Sequence, residues 1–444
     1  MDAIDTLIVP RWILPIEPAG TCLEGHALAV DRGRIVALLP ADEAARRYAP
    51  RRRWDLPHHV LLPGFVNAHT HAAMALLRGR ANDLPLERWL REVIWPLEGR
   101  FVDASFVHDG AELAVAEMLR NGITTFNDMY FFPEETIAVA QRAGIRLLAG
   151  IVVIDVPTRW AERAEDYLER GLAVHDRYKG APRLGFALAP HAPYSVPEDL
   201  LRRVRVLADE LDLPCHLHLH ETATEIDAAL EATGERPLAR LERLGFCDGR
   251  LMAVHMTQLT SAEIASLAAR PVGVVHCPES NLKLASGIAP VTRLLEHGVP
   301  LALGTDGAAS NNDLDLLGEA RTAALLAKAT ARDAAALPAP CVLELATLGG
   351  ARVLGLDERV GSLRPGKDAD LCAIDLLSDP TRGPVYDPPT HLVYSASARD
   401  VTHVWVEGDL LVEDRRLLRL DVDDLARRTE AWRVRLGAPL EEAS

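Results

Sequence analysis

Between residues 59 and 360 short apolar runs alternate with charged segments of helical period. Eight runs stand out: 61–71 (LLPGFVNAHTH), 124–131 (TTFNDMYF), 146–155 (RLLAGIVVID), 184–194 (LGFALAPHAPY), 214–221 (PCHLHLHE), 251–258 (LMAVHMTQ), 272–281 (VGVVHCPESN) and 300–309 (PLALGTDGAA). Segments such as 103–122, with Gly122 placed as a C′ stop, and 196–213 read as the helices between them. This rhythm predicts βα units around a parallel sheet, and eight units in about 300 residues predict a (β/α)8 TIM barrel. A doubly wound sheet needs no such count and usually opens on a glycine-rich turn, which is absent.

The flanks differ. Residues 1–58 and 361–425 read as short strands with turns, among them hairpin signals at Asp31-Arg32-Gly33 and Glu407-Gly408-Asp409. Both ends are therefore expected to build one composite β-sandwich domain beside a catalytic barrel at 59–360. A C-terminal helix and tail at 426–444 should follow. Leu425, Thr429, Trp432 and Leu436 share one stripe there, as in a helix docked by its apolar face.

Composition narrows the class. The 444 residues are 48% hydrophobic with a net charge of −16 spread along the chain, which disfavours a nucleic-acid partner. No apolar stretch approaches the roughly 18 residues that span a bilayer, and the N-terminus lacks a signal-peptide pattern. Six scattered cysteines without a C-x-x-C pair fit a reducing compartment. The expectation is a cytoplasmic protein without membrane association, and a homo-oligomer is compatible with it.

Most runs end in ionisable residues, where barrel enzymes carry their active sites. His69 and His71 are two apart at the end of the first, so both face one way, although H-x-H alone also occurs as a structural pair. The fifth run carries His216, His218 and His220 at alternate positions, then Glu221. Asp306 closes the eighth. First and eighth strands are neighbours and the fifth lies across, so two His, one His and one Asp would hold a metal on the barrel axis. Ligands N, N, N, O suit Zn²⁺, with Fe²⁺ and Mn²⁺ as alternatives.

Together with NAHTHAAMALLRG, the His-x-x-Glu of HLHE, AVHMTQL, HCPESNLKLASGIAP, LGTDGAASNN and GKDADL, these residues resemble the amidohydrolase superfamily. DLPLERWLREVIWPLE (83–98) is similar to its 5′-methylthioadenosine/S-adenosylhomocysteine deaminases. The resemblance covers about residues 5–430. It implies metal-dependent deamination of adenine nucleosides to inosine derivatives and ammonia. It further implies His69, His71, His218 and Asp306 as ligands, Glu221 as proton shuttle and His255 as the partner orienting the attacking hydroxide. Glu98, His191 and Trp89 are implied as substrate contacts. The chemistry agrees: Asp306 can take the proton of water and Glu221 can give one to the ring.

Two departures matter. Binuclear relatives carry a lysine on the fourth strand; LGFALAP has none, so one metal per chain is expected. Some relatives carry an arginine just after the third strand; here Arg159 is the nearest downstream, which favours the uncharged methylthio substrate over a homocysteine carboxylate. The rival enzyme is an aminohydrolase or chlorohydrolase of a free purine, pyrimidine or triazine, which would not need Glu98. A non-enzymatic barrel should have lost a ligand or the shuttle.

Blander roles remain. His191 and His276 could hold loops, Cys277 lacks a base partner, and Lys283 fits a buttressing loop. His26, His58, His59, His108, His175, His297, His391 and His403 fall on expected turns, helices or the β domain. Strand geometry separates the fifth-run histidines by roughly 6.5 Å per pair: His216 should lie a layer deeper than His218, and His220 at the rim. Glu221 can face the cleft only if the strand ends near 220.

Overall fold

The computed structural model describes residues 1–437. Eight parallel strands follow chain order around a barrel: Phe65–Thr70, Ile123–Asp128, Arg146–Val153, Leu184–Pro190, Cys215–Leu219, Leu251–His255, Gly273–His276 and Leu301–Leu303. Seven fall wholly within one predicted apolar run, and the second begins one residue ahead of its run, at Ile123. The first and eighth come together just beyond their ends, where the amide of Asp306 donates to the His69 carbonyl (3.1 Å) and that of Thr305 to Asn67 Oδ1 (3.0 Å). Helices pack outside on apolar stripes. Ala104–Arg120 is typical: Asp103 caps its start by accepting from the Phe106 amide, and Gly122 follows its end at φ +83°.

The second domain is a nine-stranded mixed sheet to which both ends of the chain contribute. Its N-terminal strands include Asp2–Ile13, His26–Asp31, Arg34–Pro40 and Tyr48–Pro63; Leu371–Asp375, Val401–Val406, Asp409–Glu413 and Arg416–Leu417 come from the other end. Ile8, Leu28, Ile35 and Leu61 share one buried cluster with Leu371 and Trp405. Both hairpin turns form, each on consecutive left-handed residues: Arg32 (48°) with Gly33 (76°), and Glu407 (47°) with Gly408 (76°). They pack tip to tip. A Cβ on Gly33 would lie 2.6 Å from the Glu407 carbonyl oxygen, so glycine is required for contact as well as for φ.

The long strand Tyr48–Pro63 passes through Gly64 directly into the first barrel strand. A Cβ on Gly64 would come within 2.1 Å of the Thr124 side chain. At the foot of the third barrel strand, buried Arg146 pairs with Asp368, Asp370 and Glu407, tying barrel to sheet. The metal-site loops leave the opposite ends of the strands.

The C-terminal helix Val422–Gly437 begins ahead of the expected position 426, and residues 438–444 of the predicted tail lie outside the described residues. Leu425, Trp432 and Leu436 are buried, with the Trp432 indole donating to Asp109 (2.7 Å). Among the described residues no helix is long and apolar enough to cross a membrane.

Candidate metal centre and active site

His69 and His71 leave the first strand toward the axis, and His218 faces them from the fifth. His69 Nε2 lies 3.3 Å from His218 Nε2 and 3.3 Å from Asp306 Oδ1; His71 Nε2 lies 3.2 Å from the same oxygen. The remaining ring nitrogens are occupied. His71 Nδ1 donates to the Met129 carbonyl (2.6 Å), His218 Nδ1 donates to the His191 carbonyl (2.8 Å), and His69 Nδ1 is hydrogen bonded to His216 Nε2 (2.9 Å). With their Nδ1 protons committed to carbonyls, the neutral forms of His71 and His218 turn Nε2 lone pairs toward a carboxylate oxygen and another imidazole. Against burial, the Asp306 carboxylate raises the pKa of His71 by drawing positive charge to its Nε2. Such a gathering of acceptors is repulsive until a cation joins it, so the donor set fits a divalent metal.

The aspartate is held from the other side. Asp306 Oδ2 accepts from Ser280 Oγ (2.6 Å) and Ser310 Oγ (2.9 Å), which leaves Oδ1 to face the histidines. His255 enters from the sixth strand, its ring stacked on His218 at 5.4 Å. The Asn281 amide Nδ2 donates to His255 Nδ1 (2.9 Å), so the proton of the neutral ring sits on Nε2. Burial lowers the His255 pKa to about 3 and keeps that ring neutral.

Glu221 reaches the cleft because the fifth strand stops at Leu219. His220 is left-handed (φ +53°), and the bend turns Glu221 inward. Burial first, then the charges of Asp306 and Glu225, push the Glu221 carboxyl well above its ordinary value. Its Oε2 lies 3.7 Å from His255 Nε2, and Oε1 accepts from Ser286 Oγ (3.3 Å).

The same bend moves His220 away from the expected rim. It is fully buried outside the strand, and its Nε2 accepts from the Leu238 amide (3.0 Å). His216 does lie deeper. It does more than fill space, since it joins His69 to Asn127 of the second strand, whose Nδ2 is 3.2 Å from His216 Nδ1.

The metal ligands His71, His218 and Asp306 open onto a cleft whose lining also includes Glu98, Trp89, Trp95, His191 and Tyr194. Glu98 is buried and accepts from the Tyr130 hydroxyl (2.8 Å); burial raises its pKa to about 7. His191 Nδ1 pairs with Ser195 Oγ (2.8 Å). Trp89 stands where the helix Leu86–Arg88 widens into a π turn, a local loosening often found at sites. Thus every residue singled out in the sequence for the site lines one cleft or its floor. Arg159 does not: it donates to the Arg100 carbonyl (2.6 Å) and sits 3.5 Å from Asp103.

Sequence reasoning missed the clamps: Ser280, Asn281, Ser286, Ser310, Tyr130 and Glu225. Three of them lie in the 280–287 stretch, read from the sequence as a loop that buttresses the mouth. The buttress exists, with Lys283 Nζ donating to the Ala309 carbonyl (2.9 Å) and to Asn312 Oδ1 (2.7 Å).

Residues 60–411 match the model of the amidohydrolase family. The chain is 45% identical to a 5-methylthioadenosine/S-adenosylhomocysteine deaminase of Saccharophagus degradans, over 98% of this chain and 97% of that one. It is 44% identical to the corresponding deaminase of Teredinibacter turnerae, over 98% of each. Among solved structures, an adenosine deaminase from Xanthomonas campestris with bound zinc superposes with a TM-score of 0.97 at 50% identity, covering 98% of this chain and 99% of that one. A zinc-complexed atrazine chlorohydrolase from Arthrobacter aurescens shares the fold at a TM-score of 0.89 and 24% identity, over 96% and 99% of the two chains.

Proposed function

The chain belongs to the amidohydrolase family, and from that membership we infer a metal-dependent hydrolase that deaminates adenine nucleosides. Its substrates are 5′-methylthioadenosine and S-adenosylhomocysteine, with adenosine as a further one, and its products are the inosine derivatives and ammonia. Zn²⁺ is the metal, one per chain, with His69, His71, His218 and Asp306 as the residues that would hold it. The observation that carries this reading is a single cleft with that donor set at its floor and a buried acid, Glu98, on its wall. The six free cysteines support a cytosolic setting.

When bound, the metal supplies a hydroxide at neutral pH by lowering the pKa of water toward about 7. The remaining steps belong to side chains. Asp306, fixed through Oδ2 by two hydroxyls, takes the proton of the attacking water at Oδ1. His255 donates from Nε2 and orients the nucleophile. Glu221, kept protonated by burial, gives its proton to the ring nitrogen beside the attacked carbon and makes that carbon electrophilic. The proton held by Asp306 then leaves with the amino group as ammonia, and the remaining hydroxyl proton passes to Glu221 as the product carbonyl forms, which restores both carboxyl groups. Glu98 accepts hydrogen bonds from the ribose hydroxyls, His191 contacts the far side of the nucleoside, and Trp89 covers it. Ammonia release from a panel of adenine nucleosides and free bases tests the reading.

A further inference from the structure

The 220–221 peptide has all of its backbone polar groups held from outside the strand. The His220 carbonyl accepts from the amides of Thr257 (3.0 Å) and Gln258 (3.1 Å), and the Glu221 carbonyl accepts from Thr257 Oγ1 (2.7 Å). Both amides go to one side chain: Glu225 Oε1 accepts from His220 N (3.1 Å) and Oε2 from Glu221 N (2.7 Å).

Glu225 occupies the third position of the helix Ala223–Thr233, whose N-cap Thr222 accepts from the Glu225 amide (3.1 Å). In a capping box a glutamate at this position reaches back to the N-cap amide. Here the carboxylate also reaches past the cap, to the amides of the two residues before it. Its hydrogen bonds therefore stabilise the end of the fifth strand. It is buried, and its oxygens are committed to consecutive amides at a left-handed, non-glycine residue, a conformation that L side chains adopt only when it is held.

We propose that Glu225 is a positioning residue for the reaction, clamping the bend at His220 so that the Glu221 carboxyl is aimed into the cleft. The proposal rests on the reading of Glu221 as the proton donor. Glu225 is not among the residues that line the substrate cleft; it holds the peptide that carries Glu221 and adds its charge beside that carboxyl. A displacement of about 1 Å at a reacting group lowers rates about a hundredfold.

A mutant cycle on the metal-loaded enzyme tests it. Glu225→Gln keeps the shape but replaces one acceptor by an amino group that faces an N–H. It should lower kcat for 5′-methylthioadenosine about 10- to 100-fold, with KM within about threefold of the parent and metal content unchanged. In a Glu221→Gln background the same change should lower the residual kcat by less than about twofold, because the group it positions is gone. Equal losses in both backgrounds, loss of metal, or a kcat within twofold of the parent would overturn the proposal. If Glu225→Gln does not fold, Glu225→Asp is carried through the same cycle, since its shorter carboxylate reaches one amide at most. Glu221→Gln alone reports on the underlying reading: full activity there would remove Glu221 as proton donor, whatever Glu225 does.

Discussion

Glu221 Oε2 and His255 Nε2 lie 3.7 Å apart although they end different strands, and both arrive through left-handed backbone. His220 (53°) turns the fifth strand, His255 (77°) and Met256 (50°) turn the sixth, and Asp306 (59°) turns the eighth. None of these is glycine, so each bend holds about 1–3 kcal/mol of strain that the surrounding hydrogen bonds offset. The concentration of such residues at the cleft floor marks it as the place where backbone stability gives way to function.

The tautomer of His255 depends on Asn281. In Asn281→Asp a carboxylate replaces the amide donor and draws the ring proton to Nδ1, which leaves Nε2 without one. We expect kcat to fall about 10- to 1000-fold with metal content unchanged. Steady-state kinetics beside elemental analysis reads both, and parental kcat would remove His255 as a donor.

Ser280 and Ser310 hold the oxygen of Asp306 that turns away from the histidines. Removal of supports to metal ligands weakens affinity about 10- to 100-fold. The double change Ser280→Ala with Ser310→Ala should show that loss in competition with a zinc chelator, and each single change a smaller one. Unaltered affinity would mean that the hydroxyls merely fill space.

Glu98 is expected to act on substrate and not on metal. Glu98→Ala should reduce kcat/KM for 5′-methylthioadenosine at least about tenfold, the loss of roughly one charge-assisted hydrogen bond, while metal stays at one per chain. Loss of metal in this variant would show that the residue is misplaced in the account.

The pH dependence follows from Glu221. Burial, with Asp306 and Glu225 nearby, raises its pKa, and the donor form is the protonated one. Activity that needs this proton is present below the raised pKa and declines as pH rises through it. The pH profile of kcat/KM should therefore have an alkaline limb that is absent from the residual activity of Glu221→Gln and persists in Glu98→Ala. Persistence of the limb in Glu221→Gln would assign it to another group.

The fold and the ligands were legible because both are written in local pattern. Short apolar runs, most of them ending in ionisable residues, pointed to eight strands and their active ends, and alternate spacing put His69 with His71 on one face. What was not legible depends on backbone dihedrals and long-range partners. No spacing rule distinguishes a left-handed His220 from an extended one, yet that angle sends its ring out of the barrel and Glu221 into the cleft. Ser280, Ser310 and Asn281 look like loop residues until the seventh and eighth strand ends are brought together, and Glu225 looks like half of a helix cap. Glu98 sits in a helix remote in sequence from the ligands, and only resemblance singled it out.

The most direct test of the account is ammonia release by the zinc-loaded enzyme from 5′-methylthioadenosine, S-adenosylhomocysteine, adenosine, guanine and cytosine at equal concentration. Among the described residues the cleft lining contains no Arg or Lys, and Arg159 is engaged elsewhere. One ammonia per nucleoside converted is therefore expected, with 5′-methylthioadenosine favoured over S-adenosylhomocysteine by about tenfold in kcat/KM, roughly 1.4 kcal/mol. Ammonia from guanine or cytosine with none from any adenine nucleoside would contradict it.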